Sequence, residues 1–181
     1  STMLLDGFIT SLTNDLDIDH QQYRPAVHYI NGEFWGIQNI REKVNEHFIA
    51  SHHLISSDNI DLLEFEGEAI HGTNTDYMNL LDYIENNDMN DPLVQTALEN
   101  WIDIESYMSY QAFQIFIDNR DWPGNNIKFW RDHRVGGKWR WILYDTDFGF
   151  SIWESNAYTH NTLSFALEPN GPGWPNPPWS T

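Results

Sequence analysis

The sequence predicts an α+β fold, on three observations. Two short turn signals, Asn31-Gly32 and Gly136-Gly137, each stand between runs rich in β-branched and aromatic residues. Such runs around such dipeptides mark antiparallel hairpins. Between the hairpins, from Thr75 to Ile117, apolar residues recur at helical spacing. The chain has 181 residues, 40% of them hydrophobic, which suffices for one domain or two small lobes around a core.

Taken in order, Leu4, Leu5, Phe8 and Leu12 have the spacing of a helix over 3–12. Asp15-Leu16-Asp17-Ile18-Asp19 resembles a calcium loop only superficially. It lacks the glycine at its sixth position, and its twelfth is Ala26 instead of an acid. Residues 26–30 and 34–40 form the first hairpin. A turn and a helix follow up to Ala50, with Val44 and Phe48 on one face. Residues 60–65 suit a short strand, and Tyr77, Leu80, Leu81 and Ile84 form an amphipathic stripe. Pro92 suits the first turn of the next helix, behind Asp91 as N-cap. Asp103 is placed to cap a helix over 104–117, in which Tyr107, Met108, Gln111, Ile115 and Phe116 suggest heavy burial. The five prolines from Pro169 to Pro178 predict a rigid extended segment. No internal repeat or linker divides the chain.

Charge and composition narrow the function. A formal charge of −18 argues against phosphate contacts with nucleic acid and against docking on anionic membranes. It suits basic protein substrates or divalent cations, and equally plain solubility outside the cell. There are no cysteines, hence no disulfide and no thiolate metal site. No stretch has the length of a transmembrane helix. The eight histidines lack the spacing of a helical zinc site, and surface or hydrogen-bonded roles are expected of them.

The segment with most chemistry is NRDWPGNNIKFWRDHRVGGKWRWILYDTDFG, residues 119–149. Asp121 lies in a polar loop, and Asn126 follows five residues later. The second hairpin comes next and ends on Asp145-Thr146-Asp147. If Gly136-Gly137 is a tight two-residue turn, Lys128 lies opposite Asp145 and Asn126 opposite Asp147. Asn126 and the two aspartates then meet at the hairpin mouth, with Asp121 in the loop entering it. Oxygen donors of this kind suit a hard divalent cation. Protein kinases show the same order: a D-x-x-x-x-N loop, a two-stranded segment, then an Asp that holds magnesium. The letters D-F-G favour Asp147 as that ligand. The strand register favours Asp145, which directly follows the hydrophobic run 141–144. Asp145 ranks first and Asp147 serves as a second ligand.

With these pieces the chain resembles the spore-coat protein H (CotH) kinase family, atypical secreted or surface-associated protein kinases. YINGEFWGIQNIREKVNEHFI, DNRDWPGNNIKFWRD, KWRWILYDTDFGF and NTLSFALEPNGPGWPNPPWST carry the likeness, which covers most of the chain. The resemblance implies an atypical protein-kinase-like α+β fold. Residues 1–50 would be the remnant of a small lobe and hinge. Residues 51–181 would be a helical large lobe with the catalytic and metal loops. It implies Asp121 as catalytic base and Asn126, Asp145 and Asp147 as magnesium ligands. It also implies ATP as donor, Glu42 and Lys43 beside the nucleotide, and a basic or serine-rich protein as acceptor. The family's glycine- and lysine-bearing strands that cover the nucleotide have no counterpart here. An internal piece of a longer bacterial surface or extracellular protein is therefore expected, itself without measurable kinase activity. The rival readings are a surface adhesin or carbohydrate-binding module built on tryptophans, and a glycosidase with Asp121 and Asp145 paired. Most of the tryptophans sit at strand positions that suggest burial, and Asn126 suits metal binding better than acid–base work.

Overall fold

The computed structural model describes residues 4–134, 136–150 and 156–167. The proline-rich stretch from Pro169 to Pro178 lies outside them. A short helix, α1 (Leu5–Ser11), leads to a two-residue strand, β1 (Asp19–His20). The first hairpin is β2 (Tyr23–Ile30) with β3 (Glu33–Arg41), and α2 (Glu46–His53) follows it. Strands β4 (Ile60–Glu64) and β5 (Glu68–His71) precede three helices, α3 (Thr75–Glu85), α4 (Pro92–Leu98) and α5 (Ile104–Phe116). The second hairpin is β6 (Lys128–Asp132) with β7 (Arg140–Leu143), and α6 (Thr162–Ala166) closes the described chain.

Five strands make one sheet in the order β1-β7-β6-β4-β5, parallel only between β1 and β7. Successive side chains of a strand point to opposite faces. Leu63, Phe129, Trp141 and Leu143 therefore enter the core shared with α3 and α5. Ile60, Leu62, Trp130 and Ile142 enter a second core with Val44, Phe48 and Ile49 of the α2 region. The near-continuous apolar runs of these strands reflect burial on both faces.

The first hairpin forms where the sequence places it. Ile30 pairs with Glu33, and Asn31 and Gly32 both take positive φ, 51° and 83°. That backbone is the type I′ turn that Asn-Gly favours. Beyond the turn this ribbon packs little, and Val27, Tyr29, Phe34, Trp35, Ile37 and Ile40 are all exposed. The helical signals hold too. Asn45, Asp91 and Asp103 each accept a backbone N–H at the start of α2, α4 and α5.

Three local expectations are corrected. In α1 the buried face is Asp6, Gly7, Ile9 and Thr10, while Leu4, Phe8 and Leu12 face outward. Polar partners of Asp6 and the ring of Tyr23, on which Gly7 lies, hold the helix in that rotation. In α5 the buried positions are Ser106, Tyr110, Phe113 and Gln114, whereas Met108 and Phe116 are exposed. The second hairpin has no tight two-residue turn. Lys128 pairs with Ile142, not Asp145, a displacement of three positions. The cause is Trp139. Its backbone N–H donates to Trp101 and its carbonyl accepts from Asp103, and its indole is fully buried against Tyr77 and Phe129. Trp139 thus belongs with the segment before α5, and the β6–β7 pairing ends at Trp130 and Arg140.

Candidate active site

Helix α5 delivers the chain to a loop held by its own amides. Asn119 is fully buried; its Nδ2 donates to Gln114 Oε1 at 2.9 Å and its Oδ1 accepts from Asp121 N at 3.1 Å. Asn125 N in turn donates to the Asp121 carbonyl at 2.9 Å. This web of side-chain-to-backbone bonds sets the loop where no regular element could.

Asp121 is 3% exposed. Its Oδ2 accepts from Asn125 Nδ2 at 3.0 Å and from Asn126 Nδ2 at 2.5 Å, while Oδ1 is buried with no hydrogen-bond partner. Burial pushes the carboxyl above the ordinary carboxylate range; Asn125 and Asn126 pull it down, and the charge of Asp147 pushes it further up. The result is a fixed carboxylate with one unengaged oxygen and a raised affinity for a proton.

Asp145 and Asp147 follow β7 across the hairpin mouth. With the corrected register Asn126 no longer faces Asp147 through paired strands; the loop geometry brings it to Asp121 instead. Asn126 and Asp145 both adopt left-handed backbone, φ 52° and 50°. Residues other than glycine take that region seldom, and such strain clusters at functional sites. Burial raises the Asp145 carboxyl to about 6, helped by the charge of Asp147, a hydrogen bond with it, and the charges of Asp6 and Asp121. The charges of Asp147, Asp6 and Asp121 thus all act on Asp145.

Asp6 is the member that sequence reading missed. It is 4% exposed on α1, with Thr146 N and Oγ1 each donating to its Oδ1 at 2.6 Å, and Arg41 at the end of β3 pairing with its Oδ2. Asp6 thereby holds the residue between Asp145 and Asp147. Its only sequence signal is a carboxylate within an apolar helix, and a separation of 140 residues hides the partner.

Glu42 and Lys43 stand apart from this cluster. The Glu42 carboxylate accepts from Gln22 N at 2.8 Å and lies 2.8 Å from His52 Nε2, and Lys43 is exposed. The calcium-like loop is engaged elsewhere: Asp17 and Asp19 both pair with Arg140. The tryptophans of β6 and β7 and Trp122 are buried, as the strand pattern suggests, whereas Trp35 is 67% exposed.

A hard divalent cation suits the donor types of Asn126, Asp145 and Asp147. All can offer oxygen, and a cation would offset the burial and the neighbouring negative charge that raise the Asp145 carboxyl. Asn126 spends its Nδ2 on Asp121, which leaves its amide oxygen to offer. Among the described residues no three His, Cys, Asp or Glu side chains are gathered ready to hold a metal.

The polar loop, the hairpin and the acidic end match the order of a phosphoryl-transfer site, and comparison with known families agrees. A family model described as CotH kinase protein matches residues 1–181. The chain belongs to the CotH kinase family. Its membership implies a kinase and a protein substrate. No curated protein sequence matches the chain. No helix among the described residues of this CotH family member is long and apolar enough to cross a membrane.

Proposed function

We propose that this chain carries the phosphoryl-transfer centre of an ATP- and magnesium-dependent protein kinase acting on Ser or Thr hydroxyls. The observation that carries the reading is Asp121: buried, braced by three asparagines, left with an unpartnered Oδ1, and raised in proton affinity by burial and by the charge of Asp147. That oxygen is the acceptor for the proton of an incoming hydroxyl, and the braced loop keeps it there as the hydroxyl becomes a nucleophile. Asn126, Asp145 and Asp147 are the residues that would hold magnesium. Bound there, magnesium would neutralise phosphate charge and orient the transferring group. In this reading Glu42 and Lys43 would stand toward the nucleotide and residues 1–50 would be the remnant of a small lobe and hinge, packed through β1 and the segment 44–49 on the same sheet as the rest.

The test is a radiolabel transfer assay on the protein with ATP and magnesium, beside calorimetric titration of both ligands. Asp121→Ala should slow transfer by about two to four orders of magnitude with ATP affinity near wild type, as loss of a general base does. Asp145→Ala should abolish magnesium-dependent nucleotide binding. An Asp121→Ala protein with full activity would sink the assignment.

A further inference from the structure

The loop that presents Asp121 has a second side. Trp122 and Pro123 form one wall of a cavity of about 340 Å³, facing Leu81 of α3 and Tyr107 of α5. The volume falls in the range of small-ligand and side-chain pockets. The interior is aromatic and aliphatic. The only charged residues lining it are Glu66 and Glu85, both exposed, and no Lys or Arg lines it among the described residues. The pocket therefore combines an apolar floor with an acidic mouth, on a chain whose formal charge is −18.

We propose that this pocket is an anchor subsite for the acceptor polypeptide: it takes one bulky apolar side chain, with a neighbouring cationic residue meeting Glu66 and Glu85. The inference rests on the kinase reading above, because Asp121 and Trp122 are consecutive in one rigid loop. Trp122 and Pro123, which wall the pocket, follow Asp121 directly, so a polypeptide with its hydroxyl at Asp121 needs only a short spacer to reach the anchor, and the spacer series measures its length. Aromatic walls such as Tyr107 and Trp122 favour an aromatic or branched occupant through edge and face contacts. The carboxylates at the mouth reject an acidic flank and steer a basic one, an effect that salt weakens. Buried apolar anchors with a polar rim carry most of the affinity in such recognition.

The experiment is calorimetric binding of blocked synthetic peptides to the 181-residue chain, without ATP. The parent peptide is Ser-Ala-Ala-Trp-Arg-Ala, and variants change the spacer, replace Trp by Ala, or replace Arg by Glu. The Trp-to-Ala peptide should bind about tenfold more weakly or worse, and the Arg-to-Glu peptide several-fold more weakly at low salt. Leu81→Trp, which fills the pocket from α3, should reproduce the loss with an unchanged circular dichroism spectrum. If that variant does not fold, the peptide series still decides. Equal affinity for the Trp and Ala peptides at every spacing overturns the proposal. Tryptamine binding as tightly as the peptide overturns it too, since the pocket would then be a small-molecule site. Anchor-dependent binding without ATP-dependent transfer would defeat the kinase reading and leave the pocket standing. Transfer that is equally fast to Trp and Ala peptides would do the reverse.

Discussion

At the scale of single residues, the site is built against stability. Asp145 has its carboxyl raised to about 6 by burial first and by the charges of Asp147, Asp6 and Asp121. A carboxyl with a folded pKa above its unfolded one destabilises the fold when ionised, and the loss is relieved as pH falls through the folded value. Asp145→Asn removes the titration. In EDTA, the variant should melt higher than the wild type at pH 7, and the advantage should shrink below pH 6 and vanish near pH 4. Equal melting temperatures at pH 7 would show that the repulsion is not felt. Asp6, by contrast, holds structure together through its contacts. Asp6→Ala strips Thr146 of both its partners and leaves Arg41 unpaired. It should cost about 2 kcal/mol, the usual loss when one member of a largely buried charged network is deleted. Denaturant unfolding measures it. Asp121 and Asn126 were legible as a spaced pair because both lie in one short loop, where their separation can be read directly. Asp6 was not legible, since nothing local distinguishes it from any acid in a first helical turn.

At the scale of elements, caps and turns were the readable features. Asn31-Gly32, Asp91-Pro92 and Asp103 act through bonds to residues two or three positions away, so local sequence contains both partners. The second hairpin shows where that logic stops. Its strands were evident from composition, yet its register depends on Trp139, which the core and the Trp101–Asp103 segment pull out of the turn. Trp139→Ala should cost about 3–5 kcal/mol, a loss expected for a fully buried aromatic. Because the same residue sets the loop, near-ultraviolet circular dichroism of any folded fraction should also change. A variant that unfolds at the wild-type denaturant midpoint would refute the role given to Trp139.

At the scale of the whole molecule, one charged hub joins the N-terminal segment to the sheet. Asp19 in β1 lies 2.9 Å from His53 Nε2, accepts from Trp130 Nε1 at 2.8 Å and from Arg140 Nε at 3.1 Å. Arg140 also pairs with Asp17 and with Asp103, the cap of α5. Burial alone would raise the Asp19 carboxyl, but the His53 hydrogen bond, the charges of Arg140 and His53, and the Trp130 hydrogen bond outweigh it and hold it at about 2. A depressed folded pKa gives stability that is present above the unfolded value, near 4, and lost as pH falls toward 2. The shift corresponds to about 2 kcal/mol. Urea unfolding of the wild type and of Asp19→Asn should therefore differ by that order at pH 7 and converge near pH 2. A gap that persists unchanged at pH 2 would place the stabilisation in packing instead of charge.

The α+β class, the two hairpins, the helical middle and the D-x-x-x-x-N loop before an acidic strand end were all determined by the sequence. Each depends on periodicity, on a turn dipeptide or on a fixed local separation, and those survive in a linear string. Tertiary structure decided which face of α1 turns inward, which residues of α5 are buried, and which strand positions oppose one another. It also decided that the acidic cluster includes Asp6 and that the back of the Asp121 loop walls a pocket. These depend on partners far apart in the chain, as with Asp6 and Thr146 or Asp19 and Arg140, and on competition for core space that Trp139 won. Only packing the whole chain chooses among such contacts, because each is favourable only once the others have formed.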